Sequence, residues 1–581
     1  MDYELIIKNG TVVDGTGAAG YRADIGVKDG RIAFIGDIKG AAAERVIDAE
    51  GKTVTPGFIE PHSHVDMTLL FHPSMETYLM QGVTTVVSGN CGHGMAPMGD
   101  EVYRTAVDAD RAATNALAPS LFGALPPVFT DKAKVAPLLK EMYGIELDWH
   151  SFEEFNRKCE TLPIDCNIVP LVGHSAIRCA VMGMDCLREP SEAELRTMEE
   201  LTRECMEQGA FGFSTGRDST YQPSCLAGDE EIIRLLKVVR EYDGIFTSHT
   251  SNFTAEGELD TSAGYDEFFR QAKAAGVRLN LSHVQLTAED ADAALREAES
   301  LAERFAALRA DGYDFSYDII PVSDVSLILC PYLASMFAPF VRIAGTRLRF
   351  SECLKAADFR QMVRTVARSG MMPMLDTSHS DGIFARIYLT GYKEASLNGI
   401  PIAQWAHERG EDPLESAMEL LAADPDVRIG MSFQPCAGAY DKLIYNDLAM
   451  PCLDGSSTDK DADTSLSSEL PERPAPFYFN GFIRYLTHEA PMRFEDRVHQ
   501  MTLYPAGRFA IPERGALRVG YCADIVVLDR TKLRSHEFDW DEPKYPDGVD
   551  YVIVNGVVTV ENKKCVAAAG RVLRKNVKNT I

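Results

Sequence analysis

No run of apolar residues in this 581-residue chain approaches the ~20 that a helix needs to cross a bilayer, so a membrane-spanning role is not expected. Basic residues are few: 58 Lys and Arg stand against 86 Asp and Glu, a formal net charge of −28. That balance argues against nucleic acid, whose phosphates call for Lys and Arg, and against anionic membrane surfaces. The start, Met1-Asp2-Tyr3-Glu4-Leu5, has no basic stretch leading into an apolar core, so no secretory leader is expected. The thirteen cysteines are odd in number, and none stands in a Cys-x-x-Cys pair. A reducing, cytoplasmic setting is therefore expected rather than a disulfide framework. What is present, 45% apolar and 25% charged residues, suits a globular enzyme. The length exceeds one core, so a large domain with a smaller one is expected.

Both ends read as β-structure and echo each other. Leu5-Ile6-Ile7-Lys8-Asn9-Gly10-Thr11-Val12-Val13 near the start has a counterpart in Tyr551-Val552-Ile553-Val554-Asn555-Gly556-Val557-Val558. Each is an apolar strand, an Asn-Gly pair suited to a tight hairpin, and a second strand. Asp29-Gly30 and Glu50-Gly51 add further hairpin signals. Neither end alone would bury much core, so the two are expected to join as one β-sandwich domain built from residues 1–56 and 515–581.

Between them, short apolar strands alternate with helix-like stretches, the pattern of a parallel sheet. The expected strands are 59–64, 84–88, 168–172, 210–214, 245–248, 279–282, 315–319 and 449–453. Eight such units make a (β/α)8 barrel over residues 57–514, an α/β fold whose chemistry sits after the strand ends. The region is far longer than the ~250 residues a bare barrel needs. Insertions are therefore expected near 97–165 and 320–445, the second as a lid.

Ligand-type residues cluster at those strand ends. His62 and His64 are spaced i, i+2, which on a strand points both imidazoles the same way. Cys91 follows in Ser88-Gly89-Asn90-Cys91-Gly92, and His249 and His283 close two Ser-His strand ends. Asp454-Gly455 follows the last strand and adds a carboxylate. Singly, each has a bland account as core filler, surface residue or turn. Jointly, five nitrogen and sulfur donors and a carboxylate at strand termini point to a divalent metal.

With these motifs in view, the chain resembles the amidohydrolase superfamily, and within it the N-acyl-D-amino-acid deacylases (D-aminoacylases). The likeness covers nearly the whole chain. It includes Val54-Thr55-Pro56-Gly57-Phe58 entering His62-x-His64, Gly89-Asn90-Cys91-Gly92, Val172-Gly173-His174, Phe213-Ser214-Thr215-Gly216, Pro505-Ala506-Gly507-Arg508-Phe509 and Gly570-Arg571-Val572-Leu573-Arg574. The resemblance implies a tightly bound Zn2+ on Cys91, His249 and His283. It implies a second, weaker metal position on His62, His64 and Asp454, with Cys91 as a bridge. Metal-activated water would attack a linear amide and Asp454 would move its proton. Asp459 and Asp461 compete with Asp454 for that role. His174 has two equal readings, contact with the substrate carbonyl or oxyanion and a structural histidine. The implied partner is a small-molecule N-acyl substrate, and a homo-oligomer is compatible with the family.

The chain also departs from the pattern of the family it resembles. Where D-aminoacylases place a lysine, a tyrosine and an arginine against the substrate carboxylate, this chain has Gln285, Ile320 and Phe477. A buried carboxylate without its cation costs several kcal/mol. Either the substrate is less anionic or more apolar, or Arg217, Arg386 or Arg473 supplies the charge. The competing assignments are a cyclic-amide hydrolase (dihydropyrimidinase, hydantoinase or dihydroorotase), a dipeptidase, and a silent scaffold. The related cyclic-amide enzymes use a carboxylated lysine between two metals, and residues 210–220 contain no lysine.

Overall fold

The computed structural model describes residues 2–581 except 101, 105–128, 219–220, 252–260, 289–290, 322–329, 369–371, 373–374, 379–380, 432–436, 463–468, 472, 475–476, 537–541 and 577–581. Parts of both expected insertions thus lie outside the described residues.

Strands from both ends of the chain share one nine-stranded sheet. Thr53–Pro56 joins the halves: it pairs in parallel with Tyr3–Val12 and antiparallel with Ile525–Leu528, setting Val54 opposite Val527. Leu5, Ile7 and Val12 from one end pack with Ile525, Val527 and Ile553 from the other.

The two Asn-Gly pairs have different fates. Asn555-Gly556 turns the hairpin between Val549–Val554 and Val557–Glu561, with both residues left-handed at φ 51° and 84°, as a type I′ turn requires. Asn9-Gly10 does not turn the chain. It lies inside Tyr3–Val12, where the register shifts between Ile7 and Gly10. Asn9 keeps its left-handed φ of 61° because Asp24 accepts its backbone N–H and Asp48 accepts its side-chain amide. Glu50-Gly51 also fails as a hairpin, since Ala43–Asp48 and Thr53–Pro56 both run parallel beside Tyr3–Val12.

Eight parallel strands form the barrel: Phe58–Ser63, Val83–Ser88, Asn167–Pro170 continued by Val172–Gly173, Gly212–Gly216, Ile245–His249, Arg278–Leu281, Phe315–Ile319 and Ala449–Pro451. All eight fall within a few residues of the expected ones. Nearly every strand residue is buried, because helices cover one face and packed side chains fill the other. The covering helices start cleanly. Ser191 and Glu194 form a capping box before Glu192–Glu207, and Asp229, Glu230 and Glu231 face the positive end of Asp229–Glu241.

The barrel closes between its first and eighth strands, where Ser63 bridges Gly455. Glu60 reinforces this seam: its carboxyl accepts the His62 N–H at 2.8 Å and the Leu453 N–H at 2.7 Å.

The second insertion builds its own core from Leu333, Phe337, Phe350, Phe384, Leu420 and neighbouring side chains. Ile387–Leu389 pairs antiparallel with Ile429–Met431 there. Leu470, beyond the eighth strand, packs into this core, and the Arg347 N–H donates to Glu469 at 2.9 Å. The insertion is thereby tied to the chain that leaves the barrel's C-terminal face.

Candidate metal centre

Each donor is aimed by the backbone that carries it. His62 is on the first strand, and His64 follows its end. Cys91 sits in the turn after the second strand, which Gly89 (φ 88°) makes possible, since a Cβ there would come 2.5 Å from the Leu171 carbonyl oxygen. Asp66 clamps that turn by accepting from Ser88 Oγ at 2.5 Å and from the Gly89 N–H at 2.9 Å. Ser214, from the fourth strand, donates to the Gly89 carbonyl at 2.5 Å and accepts the Gly92 N–H at 2.9 Å. His249 ends the fifth strand, His283 follows the sixth, and Asp454 follows the eighth. Cys91, His283 and Asp454 all have left-handed backbones, at φ 54°, 28° and 51°. Such a residue costs about 1–3 kcal/mol unless its surroundings hold it, so three strained donors in one cluster mark a functional centre.

The donor atoms converge. Cys91 Sγ lies 3.2 Å from His62 Nε2 and 3.4 Å from His283 Nε2. His249 Nδ1 lies 2.9 Å from His283 Nε2. Asp454 Oδ1 lies 3.0 Å from His64 Nε2 and 3.4 Å from His62 Nε2. Three overlapping triplets, Cys91/His249/His283, His62/His64/Cys91 and His62/His283/Asp454, each bring their ligand atoms within 4.8 Å of one another. Cys91 belongs to two of them.

The electrostatics fit a cation. Burial alone would raise the Cys91 thiol, but the His62 and His283 imidazoles and hydrogen bonds from His249 and His283 hold it well below its usual value. Burial would likewise push His64 and His249 down. Instead Asp454 and Cys91 carry His64 up to about 10, and Asp218 and Cys91 carry His249 up to about 9. Against its own burial, Asp454 is kept below the usual carboxylate range by His62 and His64. The Cys91 sulfur and the buried carboxylates draw positive charge onto His62, His64 and His249, and a divalent cation would supply that charge without protons.

A sequence profile of the amidohydrolase family matches residues 45–372. The chain belongs to the amidohydrolase family. A D-aminoacylase of Alcaligenes xylosoxydans xylosoxydans is 29% identical, over 99% of this chain and 98% of that protein. The crystal structure of N-acyl-D-glutamate deacylase from Bordetella bronchiseptica, complexed with zinc and a phosphonate mimic of the tetrahedral intermediate, superposes with a TM-score of 0.67 at 25% identity, covering 99% of this chain and all of that one. A D-aminoacylase structure described for its binuclear metal centre, with one-metal activation and second-metal attenuation, gives 0.66 at 26%, again over 99% and 100% of the two chains.

Other residues of this amidohydrolase fall in different places. His174 is fully buried, with Nδ1 2.9 Å from Ser224 Oγ and Nε2 2.7 Å from Glu231, which also pairs with Arg178 at 3.1 Å. Both of its ring nitrogens are thus engaged by protein, away from the donor triplets. Gln285 is half-buried, two residues past His283. Ile320 is half-buried against the barrel core and lines a small crevice with Tyr440, Tyr445 and Arg484. Phe477 is buried at the start of helix Phe477–Thr487, its ring edge-on to Tyr478 at 4.8 Å, and the Tyr478 hydroxyl donates to the Asp454 carbonyl at 3.0 Å. Arg386 belongs to the second insertion, just after the turn Gly382–Ala385. Arg217 is spent on Glu267 and on the carbonyls of Ser224 and Ala227, and Arg473 reaches the Lys460 carbonyl at 3.4 Å. Asp461 pairs with Lys460, and Asp459 accepts the Asp461 N–H, so neither shares the place of Asp454.

Three contributors escaped the sequence reading. Asp318, fully buried, accepts the His283 N–H at 2.6 Å and lies 3.1 Å from His62 Nδ1. Strand alternation could have flagged it. Asp218, 3.0 Å from His249 Nε2, and His93, whose ring centre is 5.3 Å from that of His64, come from turns without a periodic signal.

Proposed function

We propose that this amidohydrolase is a zinc enzyme that removes the acyl group from an N-acyl-D-amino acid or from a related, less anionic N-acyl substrate. The convergence of Cys91, His249 and His283 carries this reading. The donor set suits zinc: one thiolate and two imidazoles leave a fourth position open, as catalytic zinc sites require. His62, His64 and Asp454 would hold a second metal, with Cys91 shared. When bound, zinc acts as a Lewis acid that lowers the pKa of a water and polarises the scissile carbonyl.

The chain's own groups do the rest. Asp454, ionised and 3.0 Å from His64, accepts the proton of the attacking water and returns it to the leaving amine. Its backbone is fixed by the Tyr478 hydroxyl, and Gly455 beside it accepts the His64 N–H at 2.7 Å. Gln285, Ile320 and Phe477 offer a substrate no formal charge, and Arg217 is already paired, which favours a substrate with a neutral or apolar group where relatives would bind a carboxylate. The fourth strand, Gly-Phe-Ser-Thr-Gly, has no lysine to bridge two metals, which weighs against cyclic amides.

The test is a panel of N-acyl D- and L-amino acids, their amides and dihydropyrimidines, assayed with and without added zinc. N-acetyl-D-methionine amide should turn over at least as well as the free acid. A strong preference for the acid would defeat the neutral-pocket part, and turnover confined to L-substrates or cyclic amides would defeat the deacylase assignment.

A further inference from the structure

Three of the four clustered imidazoles turn Nε2 inward: His62 and His283 toward Cys91, and His64 toward Asp454. His249 is reversed. Its Nδ1 faces His283 at 2.9 Å, and its Nε2 lies 3.0 Å from Asp218 Oδ2. A neutral imidazole has one N–H and presents a lone pair only from the other nitrogen. An ionised carboxylate only accepts, so a partner at Nε2 keeps the proton there and leaves Nδ1 as the ligand.

Asp218 is itself buried and held in place. The Arg217 N–H donates to the His249 carbonyl at 2.8 Å, the Tyr221 N–H donates to the Asp218 carbonyl at 2.8 Å, and the Tyr221 ring lies against the His249 ring at 4.2 Å. Ser224 Oγ accepts the Gly216 N–H at 3.1 Å and rests 2.9 Å from His174 Nδ1. The His174–Glu231–Arg178 group therefore braces this segment from behind.

We propose that Asp218 is the positioning residue of the metal centre: its carboxylate fixes the His249 ring with Nδ1 toward Cys91 and His283, on a segment anchored through Ser224 to His174. The proposal rests on the metal reading above and goes further, because it places control of metal affinity in the turn after the fourth strand. It also gives His174 a supporting task in place of substrate contact.

Full-length wild type, Asp218→Asn, Asp218→Ala and His174→Gln proteins, stripped with chelator, would be titrated with Zn2+ against a competing chromophoric chelator and, separately, with Co2+ followed by visible absorption. Asp218→Ala should bind Zn2+ about 10–100-fold more weakly. Asp218→Asn, nearly isosteric and so expected to keep the fold, should lose several-fold, and His174→Gln less. The ligand-field bands of Co2+ should shift in both Asp218 variants while the Cys91 thiolate charge-transfer band persists. Affinity within twofold of wild type with an unchanged Co2+ spectrum in Asp218→Asn and Asp218→Ala would overturn the proposal and leave the metal reading intact. Wild type that binds neither ion would overturn both.

Discussion

The His174–Glu231–Arg178 group and the Cys91-centred group are both buried, both built around histidine, and opposite in how their charges are balanced. In the first, one carboxylate meets an imidazole at 2.7 Å and a guanidinium at 3.1 Å, all three essentially excluded from solvent. In the second, imidazoles crowd a thiolate and a carboxylate, three donors have left-handed backbones, and Nδ1 of His64 is buried without a partner among the described residues. In the first group protein atoms meet both imidazole nitrogens and the carboxylate, and only Arg178 Nε is left without a partner among the described residues. The second crowds a thiol and a carboxylate with imidazoles, and the proposed metal would complete it, which would separate a binding cluster from a structural one.

The largest break in that contrast comes from removing the sulfur. Cys91→Ala should lose its tight metal, measured by elemental analysis after gel filtration, and on the order of 10³-fold or more in kcat/KM. Asp454→Asn should keep metal at Cys91, His249 and His283 yet lower kcat by about 10²–10⁴-fold, as expected for loss of a general base. Equal metal loss in this variant would recast Asp454 as chiefly a ligand. Glu231→Ala tests the other cluster. It strands the Arg178 charge and should cost about 3–5 kcal/mol in urea unfolding, while kcat/KM per folded molecule changes less than tenfold. A larger kinetic than stability effect would erase the distinction between the two groups.

A third buried charge calibrates both, with the smallest effect. Burial pulls Lys575 down from 10.5 to about 8, only partly offset by Asp243. A base whose folded pKa is depressed opposes folding below that value. The unfolded chain holds the extra proton between about 8 and 10.5, so stability rises with pH across that window. Lys575→Met should remove a rise on the order of 1–3 kcal/mol, read as the wild type-minus-variant difference in unfolding free energy at pH 7.5 and 10.

Much of this architecture was legible in the sequence because parallel barrel strands are buried on both faces. They appear as short apolar runs that stop where a polar residue meets the rim, as Leu281-Ser282-His283 does. The donors were legible for the same reason, since each closes or follows such a run. What stayed hidden depends on contacts distant in sequence. Asn9-Gly10 has the same letters as Asn555-Gly556, but Asp24 and Asp48 convert it from a turn into a bulge. Asp218 lies in a non-repetitive turn whose course is set by Ser224 and His249, so no local period could mark it. Asp318 lies within the expected strand 315–319, yet its nearness to His62 required the closed barrel.

The seam between the first and eighth strands also bears on synthesis. Ser63 cannot meet Gly455, nor Glu60 its Leu453 partner, until nearly 400 further residues have left the ribosome, by the numbering of these contacts. Until then the growing polypeptide carries Cys91 and, as they emerge, His62, His64, His249 and His283 in an open barrel with a bare sheet edge, a form prone to aggregation. Thr53–Pro56 waits longer still for Ile525–Leu528. Closure of the barrel is thereby a late step in synthesis, and the β-sheet domain that joins the two chain ends is later still.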